Sequence, residues 1–432
     1  MTPTAIGLGA LACLLVLVAL HVPLAFSMIA VGIAAFALQT NWGPALTLLS
    51  TDPSQVLASM DLAAIPMFLM MGTFVSLAGF SKDLYTLAAC VLGHRRGGLA
   101  YATIGGSAAF GAICGSSPAT VATFTRIALP EMLARKYQSG FSGATIVAGG
   151  ALKALIPPSL SMILYCVVAR TYIFDVFIAA IIPALLTVAA NAIAIAIVVR
   201  RRSGIAPVVE RATKEERRAA WRKAAPAILL IVAVFAGLYS GIFTVNEAAS
   251  VAAIVSFFFA LWRRALTWQN LRQSAITTAS IVGMIYFVLI GSSVFTYFVN
   301  LARIPELLIH GVHAMELPRP VLIFAMLAIY IALGAVFDEL AAIVVTLPFA
   351  LPIIVNLGYD PIWWGIVNVI IVELGLIHPP GIVVLILQAM RPDIPFKQLY
   401  WAIVPYLLAD LAVLILLVAF PELATWLPSI MR

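Results

Sequence analysis

The sequence predicts an all-α polytopic membrane protein built as an inverted-topology repeat, with two re-entrant hairpins and two broken helices. Three observations carry this prediction. The 432 residues are 63% hydrophobic and only 10% charged, with a mean hydropathy of +1.09, whereas soluble domains are about 45–50% apolar and about 25% charged. One strongly basic stretch separates two apolar halves. The landmarks of the first half return in the second at a constant offset of 222 residues, as Ala128 and Ala350 illustrate.

At roughly 20 residues per crossing, the apolar stretches allow about ten to twelve spans. Little chain is left for a soluble catalytic module, a nucleic-acid binder or a large ectodomain. Cys13, Cys90, Cys114 and Cys166 show no paired spacing and lie in or beside apolar segments, so they read as small hydrophobes and not as disulfide partners or zinc ligands. The N-terminus lacks the basic start and small-residue cleavage site of a signal peptide and reads as a retained first span.

The charge orients the spans. Arg200 to Lys223 holds nine Lys/Arg and three Glu, a net of +6 out of +7 for the chain. Between long apolar spans, such a run marks a cytoplasmic loop by the positive-inside rule. Working back, a span from Asp175 to Val199 runs inward, and a segment over 143–169, broken at Pro157-Pro158, runs outward. The apolar stretch 97–133 is flanked on both sides by basic residues, His94-Arg95-Arg96 and Arg135-Lys136. It therefore leaves and returns on one face, a re-entrant hairpin with its tip at Gly115-Ser116-Ser117-Pro118. Working forward, spans near 225–242 and 244–262 return to Arg263-Arg264, and a span near 276–300 goes out. A second hairpin follows over 318–355 with its tip at Phe337-Asp338-Glu339, then a segment 362–390 broken at Pro379-Pro380, then a last span over 398–420. Both termini fall on the outer side. Trp363-Trp364 near the outer boundary, and Trp262, Trp268 and Trp401 near the inner one, read as interfacial belts.

The 222-residue shift superposes Ala128-Leu129-Pro130 on Ala350-Leu351-Pro352, Tyr137 on Tyr359, Gly143 on Gly365 and Pro157-Pro158 on Pro379-Pro380, with ten ungapped identities between Gly115 and Tyr165. Each Pro-Pro begins 41 residues after a polar tip residue, Ser116 or Asp338. The organisation is thus a first repeat over 1–199, a basic linker over 200–224 and a second repeat over 225–432. Opposite orientation of the halves is a plan that many secondary transporters share, with mid-membrane helix breaks freeing backbone groups for ions and anionic substrates.

At these residues the chain resembles the large membrane subunit of tripartite ATP-independent periplasmic (TRAP) transporters, the DctM-like family. The matching stretches are IPMFLMMG (65–72), GHRRGGLA (93–100), GAICGSSPATVATF (111–124) and LIPPSLSMILY (155–165) in the first half. In the second they are GAVFDELAAIVVTLPFALPI (334–353), YDPIWWGIV (359–367), VELGLIHPP (372–380) and PYLLADL (405–411). The resemblance implies an elevator-type permease in a bacterial inner membrane, usually driven by sodium and taking up a small carboxylate. Its implied partners are a soluble periplasmic binding protein and a separate small four-span membrane subunit, in a lipid setting and with no nucleic acid. It implies no cofactor beyond Na⁺ as coupling ion. No G-x-x-x-x-G-K-[ST] motif is present for ATP. The alternative is a standalone elevator-type carboxylate carrier needing no binding protein. An intramembrane protease is disfavoured by the lack of any H-E-x-x-H zinc pair.

By the same resemblance, a first cation site lies among Gly115, Ser116, Ser117, Lys153, Ile156 and Pro157. A second lies among Gly334, Phe337, Asp338, Gly375, His378 and Pro379. Substrate sits between the tips near Ser117, Pro158, Ser159, Asp338, Glu339 and Gly381. Hydroxyls and carbonyls suit a hard cation such as Na⁺. Two residues depart from the family. Lys153 stands where Gly is usual and where its own repeat partner is Gly375. A lysine at helix centre costs roughly 2.5–3.5 kcal/mol on insertion scales, so it calls for a partner, and the expectation is that its ammonium replaces an ion or exchanges a proton. His378 stands where Thr is frequent, beside the second break. Glu373, two residues before Gly375, is expected to brace a hairpin by hydrogen bonds.

Overall fold

Helices make up all the regular structure in the computed structural model, which describes residues 3–202, 204–334, 337–379 and 381–431. Among the described residues, nine helices are long and apolar enough to cross a membrane. The chain is a multi-pass membrane protein, as its composition requires.

The helices run α1 (Pro3–Ala19), α2 (Leu24–Gln39), α3 (Trp42–Leu57), α4 (Ala64–Leu77), α5 (Phe80–Leu92), α6 (Gly98–Cys114) and α7 (Ser117–Ala134). Next come α8 (Ser139–Ala151), a 3-10 turn (Leu152–Leu155), α9 (Leu160–Ala169), α10 (Ile173–Ala179) and α11 (Ile181–Arg201). The second half holds α12 (Lys214–Tyr239), α13 (Val245–Trp262), α14 (Trp268–Leu301), α15 (Ile304–Ala314), α16 (Arg319–Gly334) and α17 (Glu339–Asn356). It closes with α18 (Pro361–Ile377), α19 (Ile382–Met390), α20 (Phe396–Ala419) and α21 (Glu422–Met431).

Two helix pairs coincide with the expected hairpins. α6 and α7 pack on each other, as do α16 and α17. The chain turns between α6 and α7 through Gly115, whose φ of +67° suits a residue without Cβ. Ser116 then caps α7 by accepting from the Ala119 N–H. In the second pair, Asp338 caps α17, its Oδ1 accepting from the Leu340 and Ala341 N–H groups at 3.0 Å each. Ala335 and Val336 of that tip lie outside the described residues.

The two interrupted segments form the interior. The window spanning α8 and α9 is 83% buried and that spanning α18 and α19 is 76% buried, against 28% for α12. A helix apolar all round belongs in a core and one with an open apolar face belongs against lipid. α8 packs against α6, α7 and α20, and α18 against α16, α17 and α20. α12 and α13 carry outward-facing Leu229, Val232, Ile254 and Phe258.

Two expectations need correction. Trp363 and Trp364 are fully buried and do not form an interfacial belt. Tyr359 stacks on Trp363 with ring centres 4.5 Å apart, Tyr330 meets Trp364 edge-on, and Trp363 Nε1 donates to the Leu417 carbonyl at 2.8 Å. That carbonyl would normally accept from residue 421, which is a proline with no N–H, so the indole satisfies an otherwise orphaned helix end. Trp262, Trp268 and Trp401 are exposed. The basic stretch, expected as a linker to residue 224, is helical from Lys214 onward. A capping box starts it: the Thr213 hydroxyl accepts from the Glu216 N–H while the Glu216 carboxylate accepts from the Thr213 N–H.

Candidate functional site

The two breaks and the two tips meet in the interior. α8 ends in the 3-10 turn Leu152–Leu155, followed by Ile156 and the cis-linked Pro157-Pro158, before Ser159 opens α9. α18 ends at Ile377, and His378 caps it with its N–H on the Leu374 carbonyl. Gly381 closes that break by donating to the His378 carbonyl at 2.7 Å. Pro380 lies outside the described residues.

Glycines set how closely these pieces approach. A Cβ on Gly375 would meet the Gly334 Cα at 2.7 Å, so α16 and α18 touch backbone to backbone. A Cβ on Gly111 would collide with the Cβ of Lys153, so the lysine stem is seated directly on α6. Gly115 at the first tip faces Leu160 just beyond the first break.

Lys153 is almost fully buried, at 1% exposure. Its Nζ donates to both oxygens of Glu339 at 3.0 and 2.9 Å, stands 3.8 Å from Glu373 Oε1 and reaches Ser161 Oγ at 3.4 Å. The Ser117 hydroxyl, also buried, donates to the same Glu373 Oε1 at 2.7 Å. A continuous polar line therefore runs from Ser117 of the first tip, through Glu373 of α18 and Lys153 of the 3-10 turn, to Glu339 of the second tip. It joins all four elements and both halves of the chain. Glu373 Oε2 and Ser159 Oγ are buried without a hydrogen-bond partner among the described residues.

The remaining expected residues divide clearly. Glu339 faces inward while its neighbour Asp338 is exposed and engaged in capping. The His378 ring is exposed at the second break. The Lys153 ammonium is drawn to Glu339, Glu373 and Ser161, which come from α17, α18 and α9, and its expected site-mates Gly115, Ser116 and Pro157 are not among its hydrogen-bond or ion-pair partners. Sequence reasoning missed the Asn191–Asp410 pair, in which Nδ2 donates to Oδ1 at 2.6 Å between α11 and α20. A charged residue inside an apolar span was its only available signal. A small cavity of about 20 Å³, bordered by Leu152, Thr187, Glu373 and Asp410, separates this pair from the polar line.

The interior of this helical membrane protein holds paired helix tips, paired helix breaks and a buried ionic line, an arrangement of the kind from which secondary transporters build their binding sites. The chain belongs to the family of the DctM component of the tripartite ATP-independent periplasmic transporter, whose model matches residues 11–423. It is 32% identical over 369 residues to the C4-dicarboxylate TRAP transporter large permease protein DctM of Pseudomonas aeruginosa, covering 85% of this chain and 86% of that one. It is 26% identical over 412 residues to the sialic acid TRAP transporter large permease protein SiaM of Vibrio cholerae, covering 94% and 95%. The YdaH transporter of Alcanivorax borkumensis shares the fold, with a TM-score of 0.57 at 18% identity over 89% of each chain. These relatives are transporter components, and the chain is a permease component and not an enzyme.

Proposed function

We propose that the chain imports a small organic acid across a bacterial inner membrane. A soluble periplasmic protein delivers the substrate, and a separate small four-span membrane subunit completes the assembly. Sodium and/or proton gradients drive uptake. The two hairpins and two broken helices move together as an elevator against the outer helices, with both termini on the periplasmic side.

The observation that carries this reading is the polar line itself. The 222-residue shift takes Ser116 to Asp338, both helix caps, and Ser117 to Glu339, both of which bond across to the opposite broken helix. It takes Lys153 to Gly375, and each of these two residues packs its backbone against a glycine of its own hairpin, Gly111 or Gly334. Those correspondences support an inverted repeat, and the cross-bonding supports a core that moves as one body. Cation sites at the tip-and-break pairs, and substrate beside Ser117, Pro158, Ser159, Asp338, Glu339 and Gly381, belong to the same proposal.

The test is uptake of labelled C4-dicarboxylates and sialic acid, the substrates named for the relatives, alongside other small carboxylates. Vesicles would carry the chain with its small subunit, with and without the binding protein. Uptake of one carboxylate that requires the binding protein and an imposed ion gradient is expected. Uptake that proceeds without the binding protein overturns the tripartite reading in favour of a standalone carrier.

A further inference from the structure

We infer that Glu339 and Glu373 form a monovalent-cation site whose resident cation is the Lys153 ammonium, and that Na⁺ enters this site only when the ammonium is removed. The donor set is hard oxygen throughout, the kind that binds alkali and alkaline-earth ions. Glu339 offers both carboxylate oxygens, at 3.0 and 2.9 Å from Nζ. Glu373 Oε1 stands at 3.8 Å, oriented by the Ser117 hydroxyl. Ser161 Oγ completes the ring at 3.4 Å. Glu373 Oε2 remains buried with no hydrogen-bond partner among the described residues, an oxygen that a cation smaller than an ammonium, free of the lysine stem, is able to recruit.

The arrangement is built for a tethered charge. The lysine stem starts on the 3-10 turn that ends α8, seated against Gly111, where any side chain on α6 would collide with it. The carboxylates belong to the other half of the chain, on α17 and α18. Two buried carboxylates without a cation between them would repel each other and lack compensation. A covalently attached ammonium is always present and has no entry or exit step. An inorganic ion in its place binds by mass action and leaves when diluted.

The consequence for transport rests on the proposed function: with this site permanently filled, one fewer ion has to bind in each cycle. The binding itself is testable without any transported substrate, so its failure leaves the transport reading untouched. The full chain, purified in detergent, is assayed for equilibrium binding of radioactive sodium, with choline holding ionic strength constant. The forms compared are wild type, Lys153→Ala, Lys153→Gly, Lys153→Arg and the double variant Lys153→Ala with Glu339→Gln. One additional Na⁺ per chain is expected in Lys153→Ala and Lys153→Gly, none in Lys153→Arg, and its loss in the double variant. Saturable thermal stabilisation by Na⁺ beyond that of wild type accompanies it, following RT ln(1 + [L]/Kd). If the Ala and Gly variants are recovered only when Na⁺ is present throughout purification, that rescue is the same result. Sodium counts equal to wild type, an extra Na⁺ that survives Glu339→Gln, or failure of both variants to fold in either salt overturns the inference.

Discussion

Ser117→Ala tests whether the polar line holds the core together. Ser117 is fully buried, and its hydroxyl donates to Glu373 Oε1 at 2.7 Å. The other oxygen of Glu373 has no hydrogen-bond partner among the described residues. Removing the hydroxyl leaves the Glu373 carboxylate with the Lys153 ammonium at 3.8 Å and no hydrogen-bond donor among the described residues. A hydrogen bond to a charged group contributes about 1.5–3 kcal/mol, and leaving the buried acceptor unmatched places the expected loss in that range. The control is Ser159→Ala at the first break. That hydroxyl is equally buried but has no hydrogen-bond partner among the described residues, so its removal is near neutral or stabilising. Both variants are measured by equilibrium unfolding in mixed micelles, with the buried Trp363 and Trp364 as fluorescent reporters. A double-mutant cycle with Glu373→Gln completes the set, and a coupling of about 0.5–3 kcal/mol is expected for groups in direct contact. Equal losses for Ser117→Ala and Ser159→Ala, or zero coupling to Glu373, refute the reasoning.

Other outcomes follow from the same structure. Asn191→Leu strips the Asp410 carboxylate of its 2.6 Å donor and is expected to cost about 1.5–3 kcal/mol in the same unfolding assay; recovery in the Asn191→Leu, Asp410→Leu double variant checks the cause. Gly375→Ala drives a methyl into the Gly334 backbone, and overpacking of this kind costs typically about 1–3 kcal/mol, seen as a lowered unfolding midpoint that Gly334→Ala does not repair. Trp363→Phe keeps the ring stacking but orphans the Leu417 carbonyl, for an expected loss of about 0.5–1.5 kcal/mol. In the loop between α19 and α20, hydrogen bonds from Arg391 hold the Asp393 carboxyl below its usual range. Its folded pKa is depressed, so the pair's contribution is present above the unfolded Asp value, about 3.9, and fades as pH falls through the folded value. A carboxyl titration by NMR should show Asp393 moving up toward that reference in Arg391→Gln.

The architecture was largely readable because lipid leaves few options. Apolar length, basic flanks and doubled prolines marked out, to within a few residues, the packed helix pairs α6–α7 and α16–α17 and the interruptions after α8 and α18, α8 starting at Ser139 where 143 was expected. The Lys153 anomaly was readable from its own repeat partner, Gly375. Its partner Glu339 was not, because the two lie 186 residues apart and nothing local links them. The tryptophan pair misled for a related reason. Position along a span suggests an interface, but whether that span faces lipid or neighbouring helices is decided by tertiary packing, and α18 is surrounded. The start of α12 was legible in the Thr213-x-x-Glu216 capping signal and was obscured by the charge run around it.

The order of synthesis gives the Lys153–Glu339 bond a further meaning. The ribosome delivers the lysine first and its carboxylate 186 residues later. At about 5–20 residues per second that is a delay of roughly 10 to 40 s. Over that interval the nascent first half holds an uncompensated ammonium in an apolar segment, a burden of roughly 2.5–3.5 kcal/mol on insertion scales. Until α17 emerges the lysine has no Glu339 to pair with, so compensation of its charge by that carboxylate waits on the second half of the chain.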